Sequence, residues 1–172
     1  KIAGIKLCES CNRQFGTRYI CVMPTNLYGP NDNYDLESSH VLPALIRKVH
    51  EAKLHDKEYI TIWGTGKPRR EFLFIDDFAD ACTFLMEKGI SSGLYNVGCG
   101  QDFTIRELAE KVMSVIGFRG RIDFDMEKPD GTPRKLLDVS RMEQLGWRAR
   151  IPLDQGIAKT YANFVESIEI KQ

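Results

Sequence analysis

Short apolar, β-rich runs alternate with amphipathic helical segments along the whole chain, and that alternation leads to an α/β fold. Residues 1–15 read as a helix: Ile2, Ile5, Cys8, Cys11 and Phe15 recur at three- and four-residue spacing, and Gly16 stops it. Residues 19–23 form a buried-strand pattern that Pro24 ends, and residues 25–33 follow as turn chemistry. Ser38 or Ser39 is placed to cap a helix running to about Lys53, with Val41, Leu45, Ile46 and Val49 on one face. Residues 59–63 and 71–75 read as strands on either side of the turn Gly64-Thr65-Gly66-Lys67-Pro68. Asp76 or Asp77 then caps a helix to about Lys88, and residues 94–97 form a short strand ending at Gly98 and Gly100. Thr104-Ile105-Arg106-Glu107 spells a capping box for a helix to about Ile116. A strand at 121–125, a short helix at 140–145 and an amphipathic helix at 152–168 complete the pattern.

One stretch breaks the alternation. Lys128-Pro129-Asp130-Gly131-Thr132-Pro133-Arg134-Lys135 holds two prolines, a glycine, cations and a carboxylate, so no ordinary helix or central strand runs through it. A stiff loop carrying Arg and Lys suits a fixed anion, and Asp130 offers an acceptor to sugar hydroxyls.

The remaining composition narrows the partners. Lys plus Arg equals Asp plus Glu at 24 each, which points away from nucleic acid, whose binders carry a basic excess. No run approaches the roughly 18 apolar residues of a membrane span. Five cysteines in apolar segments suit buried thiols in a reducing, cytoplasmic setting better than a disulfide framework. The Cys8-Glu9-Ser10-Cys11 spacing has no second ligand pair, so no metal site is expected. The chain opens on an uncapped helix and carries neither a G-x-G-x-x-G loop nor a P-loop, so a piece of a longer polypeptide is expected.

Four positions draw attention as chemistry. His40 sits at a helix start beyond a strand's carboxyl end, where a histidine either caps or packs the helix or serves in proton transfer, whereas His50 and His55 lie in a charged stretch and are expected on the surface. Trp63 ends a strand at a glycine turn, where an aromatic either stacks on a ligand or packs in the core. Arg69 and Arg70 are adjacent on a strand and therefore point to opposite faces, so one of them is enough to serve a ligand.

Taken together, Pro24-Thr25-Asn26-Leu27-Tyr28-Gly29-Pro30, Arg70-Glu71-Phe72-Leu73-Phe74-Ile75-Asp76-Asp77 and Tyr95-Asn96-Val97-Gly98 resemble the extended short-chain dehydrogenase/reductases that act on nucleotide sugars. Ser39-His40-Val41-Leu42-Pro43-Ala44-Leu45, Trp63-Gly64-Thr65-Gly66 and the 128–138 string narrow the resemblance to members that epimerise and reduce a GDP-linked 4-keto-6-deoxy sugar. The resemblance implies the C-terminal part of a Rossmann-type NAD(P)-binding fold with a smaller mixed α/β substrate lobe. Residues 1–30 would end the Rossmann domain, and 31–172 would form mainly the GDP-sugar lobe, with 71–88 returning to the Rossmann domain.

It further implies NADP(H) as cofactor, a GDP-sugar substrate and a homodimer with the first helix near its interface. Lys1 would be the lysine of a Tyr-x-x-x-Lys motif, holding the nicotinamide ribose and favouring the phenolate of a tyrosine four positions upstream. Pro24, Thr25, Asn26 and Leu27 would line the nicotinamide side. His40 would contact the cofactor region and serve as an acid/base in epimerisation. Lys48, Trp63, Arg70 and Asp130 would contact the GDP-sugar. Position 48 is often arginine in this family, and lysine keeps the charge without the bidentate fork. The catalytic tyrosine and serine would lie outside these 172 residues, so the chain alone is expected to be inactive. The rival expectations are another nucleotide-sugar member, such as a GDP-mannose dehydratase or a UDP-sugar 4-epimerase, and a non-catalytic nucleotide-sugar-binding lobe.

Overall fold

The computed structural model describes residues 1–169; positions 170–172 of the lobe expected over 31–172 lie outside the described residues. The elements run α1 (Ile2–Phe15), β1 (Cys21–Pro24), β2 (Asn26–Tyr28), α2 (Val41–Leu54), β3 (Tyr59–Trp63), β4 (Arg69–Phe74) and α3 (Ile75–Glu87). They continue with β5 (Leu94–Val97), β6 (Asp102–Thr104), α4 (Ile105–Ile116), β7 (Arg121–Asp125), β8 (Arg134–Lys135), α5 (Ser140–Leu145) and α6 (Leu153–Glu169).

Three sheets result. β1 pairs β5 in parallel, with Cys21 opposite Leu94 and Pro24 opposite Val97. β3 pairs β7 in parallel from Tyr59 opposite Arg121 to Trp63 opposite Asp125. β4 sits between β2, parallel to it, and β6, antiparallel to it, and also takes the short β8 in parallel. The mixed class expected from the sequence is therefore present.

Alternation along the strands explains which faces are covered. In β3, Ile60 and Ile62 are buried while Tyr59, Thr61 and Trp63 face outward. Those isoleucines join Leu45, Ile46 and Val49 of α2, Leu108 and Val112 of α4, and Ile157 and Phe164 of α6 in the larger apolar cluster. A second cluster gathers Leu73, Ala81, Leu85, Tyr95, Val97, Met142 and Trp147. Each Leu, Ile, Val, Phe or Met side chain among them, once buried, contributes about 1.5–3 kcal/mol.

Several local expectations need correction. Asn26–Tyr28 is a strand, not turn, because its backbone finds the free edge of β4 at Phe72–Phe74. α2 begins after His40, which is itself the N-cap in extended conformation and makes no side-chain cap bond; Ser38 instead bonds Asp35. α3 begins at Ile75, so Asp77 lies inside its first turn, where its carboxylate accepts from the backbone N–H groups of Arg150 and Ile151. β4 starts at Arg69 rather than residue 71, and β6 was not expected at all. The stiff loop does contribute two residues, Arg134 and Lys135, to a sheet, at the edge where a nearby proline is tolerated.

His50 is half-buried rather than exposed: its ring meets the Tyr161 hydroxyl at 3.1 Å and packs edge-on against Phe164. His55 is exposed, as expected. The cysteines are not deeply buried. Cys8, Cys11, Cys21 and Cys82 are half-buried and Cys99 is exposed, because the apolar segments that carry them lie at the rim of the packing. Among the described residues no helix is long and apolar enough to cross a membrane, and no cluster of His, Cys, Asp and Glu could hold a metal.

Candidate nucleotide-sugar site

A cavity of about 280 Å³ opens between the first turns of α2, the carboxyl end of β3, the start of β4 and the 129–131 loop. Lys48, Trp63, Arg70 and Asp130 all line it, together with Val41, Leu45, Ile62, Pro68 and Ile105 as its apolar floor. It thus has an apolar body, two cations and a few convergent polar groups, the usual make-up of a small-molecule site.

The strand ends aim these side chains. In β4, Arg69 and Arg70 diverge as adjacent strand residues must. Arg69 turns to Asp102 at 2.9 Å and to Glu107, away from the cavity, while Arg70 faces it. One Arg70 guanidinium nitrogen donates to the carbonyls of Arg69 at 2.8 Å and Thr132 at 2.6 Å, so Arg70 fastens the stiff loop to β4. Asp130 is held from the other side. Its carboxylate accepts from the Thr65 backbone N–H at 2.8 Å and from the Thr65 hydroxyl at 2.7 Å, and these bonds lower its pKa. Gly64 makes that closeness possible: its φ is 72°, and a Cβ there would collide with the Asp130 carboxylate.

Trp63 is 58% exposed, so it is not core. Its ring has the Lys48 ammonium 5.6 Å and the Lys128 ammonium 5.5 Å from its centroid. Lys48 also donates to the Thr61 carbonyl at 3.1 Å, and partial burial lowers its pKa. Two cations beside an exposed indole suit an anionic ligand with a flat group.

The loop before α2 is ordered by Asp35, whose carboxylate accepts from the backbone N–H groups of Glu37 and Ser38 and from the Ser38 hydroxyl. Those bonds lower its pKa, the Ser38 hydroxyl most. The loop places Leu36, Glu37 and Ser39 on the cavity wall. Among the described residues, the Ser39 Oγ is the one buried side-chain oxygen or nitrogen without a hydrogen-bond partner.

The structure does not gather every residue anticipated for the site. His40 is exposed at the N-cap of α2, between two lining residues but not itself on the wall. Lys1 is exposed at the start of α1. Pro24 ends β1 at the carboxyl edge it shares with β5, an edge at which α/β sheets take ligands; Thr25 follows it, and Asn26 and Leu27 open β2 against β4. Pro24 and Asn26 are exposed there.

Glu71, next to Arg70 in β4, fastens that edge, and sequence reading missed it. The Glu71 carbonyl accepts from the Thr25 hydroxyl at 3.1 Å and the Asn26 amide at 2.7 Å. Its wholly buried carboxylate accepts from the N–H groups of Gly100 at 2.7 Å and Leu137 at 3.0 Å. Gly98 lies so close that a Cβ there would strike this carboxylate. The available signal was a carboxylate directly before the apolar run Phe72-Leu73-Phe74, which is costly unless satisfied. Thr65, which orients Asp130, was visible only as a turn residue.

Comparison with known proteins identifies the chain's relatives. The model of the NAD dependent epimerase/dehydratase family matches residues 1–98. The chain is 52% identical over 168 residues to GDP-L-fucose synthase 1 of Arabidopsis thaliana, covering 98% of this chain and 52% of that protein. It is 53% identical over 176 residues to GDP-L-fucose synthase of Escherichia coli K12, covering 97% of this chain and 55% of that one. Among solved structures, the GDP-mannoheptose C4 reductase of Campylobacter jejuni with NADP bound superposes with a TM-score of 0.82 at 36% identity, over 96% of this chain and 58% of that chain. The chain spans about half the length of the curated relatives it matches.

Proposed function

The chain belongs to the NAD dependent epimerase/dehydratase family, and from that premise we propose that it supplies the GDP-sugar-binding part of an NADP-dependent GDP-L-fucose synthase, which epimerises GDP-4-keto-6-deoxy-D-mannose at C3 and C5 and reduces it at C4. The observation that carries this reading is the convergence of Lys48, Trp63, Arg70 and Asp130 on one cavity. Relatives at about half identity bear that enzyme's name.

In this reading Lys48 and Arg70 offset the diphosphate charge, each charge-assisted bond contributing about 1.5–3 kcal/mol. Arg70 still has guanidinium N–H groups beyond those held by the loop carbonyls. Trp63 offers its exposed face to a flat group. Asp130, fixed by Thr65, orients a hydroxyl.

The residues from the end of β1 into the start of β2 fit a nicotinamide cofactor. Pro24 and Asn26 are exposed there, and the Asn26 amide is steadied by Glu71 through its nitrogen, leaving its carbonyl oxygen as an acceptor. Lys1 would hold the cofactor's ribose. The chemistry that NADPH supplies when bound is hydride for the sugar's 4-keto carbon. His40, free of any cap bond on the cavity's rim, moves a proton at C3 or C5, where the neighbouring carbonyl acidifies the C–H bond.

A homodimer and a cytoplasmic setting belong to the same reading. α1 supports the first, since none of its residues is buried and Ile2, Leu7 and Phe15 are largely exposed. We assign residues 1–30 and 71–88 to the Rossmann side and the remainder mainly to the sugar lobe.

The test is solvent exchange. Incubating the protein that contains this chain with GDP-4-keto-6-deoxy-D-mannose in deuterium oxide is expected to place deuterium at C3 and C5, with GDP-L-fucose formed once NADPH is added. In His40→Gln the exchange should be largely lost while GDP affinity stays within about threefold, a change of under 1 kcal/mol. Turnover of a UDP-linked sugar instead, or undiminished exchange in His40→Gln, would contradict the reading.

A further inference from the structure

The cavity holds two carboxylates in different states. Asp130 is committed to Thr65 by two hydrogen bonds. Glu37 lines the same cavity, and its carboxylate, among the described residues, accepts no hydrogen bond and joins no ion pair; its backbone N–H is engaged by Asp35. Glu37 is exposed, yet its backbone is set by the Asp35 turn, so its approach to the cavity is fixed at low entropic cost.

Its place along the cavity is informative. Leu36, which precedes Glu37, lines both this cavity and the adjoining hollow together with Lys48, so the loop runs beside Lys48, whose ammonium lies 5.6 Å from the Trp63 ring centroid. That indole is exposed. A base stacked on Trp63 there would turn an edge toward Glu37.

We propose that Glu37 is the specificity residue of this site, selecting guanine by accepting hydrogen bonds from its N1–H and its N2 amino group. Guanine alone among the common bases presents two adjacent donors that match a carboxylate's two oxygens. Uracil offers one N–H flanked by carbonyl oxygens, which a carboxylate repels, and adenine puts an acceptor where guanine has N1–H. A site that hydrogen-bonds a group rejects ligands lacking it, since the polar partner is then left desolvated. The inference rests on the nucleotide-sugar reading above and deepens it, by naming what distinguishes GDP from other nucleoside diphosphates.

The experiment is calorimetric titration of the full chain and of Glu37→Gln with GDP, IDP, ADP and UDP. IDP keeps N1–H but lacks the amino group. The wild type should bind GDP about tenfold or more tighter than IDP, and IDP tighter than ADP or UDP, since hydrogen bonds to a charged acceptor are the stronger ones. In Glu37→Gln, GDP should weaken by about tenfold or more and the GDP-to-IDP preference should shrink to within about threefold. If Glu37 merely offsets Lys48, Glu37→Gln would tighten all four ligands alike, which overturns the proposal. An unchanged GDP-to-IDP ratio in the variant overturns it too, while leaving the nucleotide site intact. Absence of any nucleoside diphosphate binding by the wild type would overturn the underlying reading together with it.

Discussion

Arg70 shows how a side chain can be both structural and functional. Its guanidinium fastens the Thr132 carbonyl at 2.6 Å while facing the cavity. Arg70→Lys keeps the charge and loses the fork, so GDP affinity should fall by about tenfold, and backbone amides of the 129–133 loop should exchange faster with deuterium. Calorimetry and hydrogen exchange check the two halves separately; a loop that stays protected in the variant would count against the clamp. Ser39 makes an opposite case. Its buried hydroxyl has no partner, so Ser39→Ala should leave the ligand-free protein as stable or up to about 1 kcal/mol more stable in urea unfolding. A clear loss of stability would mean that the hydroxyl is satisfied in solution. At this scale the sequence was informative about residue type and less so about commitment: Asp130 was recognisable as an acceptor, but not that Thr65 already occupies it.

The elements around β4 are held by one buried carboxylate. Asp102 takes the guanidinium groups of Arg69 and Arg134, joining β4, β6 and β8. The Arg134 hydrogen bond, ahead of that of Arg69, holds its pKa below the ordinary carboxylate value, against the desolvation that would raise it. A carboxyl group whose folded pKa is depressed stabilises the fold above its ordinary value of about 4 and loses that contribution as the pH falls through the lowered value. Acid unfolding of the wild type should therefore be shifted in Asp102→Asn. The variant is less stable at neutral pH, and its loss of stability below about pH 4 is shallower; identical acid limbs would contradict this link. The long elements were legible because period and cap agree. Thr104 and Glu107 form the capping box that their spacing announced, and Thr104→Ala should cost about 1 kcal/mol in denaturant unfolding. β2, β6 and β8 were not legible, because strands of two or three residues carry no period and owe their existence to the edges of β4.

Across the whole molecule, Glu71 ties together backbone segments that are remote in sequence. Its carbonyl steadies Thr25 and Asn26 at the sheet edge, and its carboxylate anchors the Gly100 and Leu137 backbones beyond the stiff loop. Glu71→Gln would set an amide donor against one of those N–H groups and should destabilise the fold by about 1–3 kcal/mol. The α/β class was readable from the alternation of elements, and the four cavity-lining residues from the resemblance, with Trp63 marked as well by its place at a strand end. That neither His40 nor Lys1 lines the cavity was not, because it depends on how segments remote in sequence come together.

The central claim is that the cavity beside Trp63 holds the nucleotide of a GDP-sugar, and tryptophan fluorescence tests it most directly. Trp63 is exposed whereas Trp147 is buried and bonded to Asp80, so a ligand stacking in the cavity reports on Trp63. Titration with GDP is predicted to quench the emission saturably, and the quench should vanish in Trp63→Phe. A saturable quench that persists undiminished in Trp63→Phe, or no saturable change in the wild type, would contradict the account.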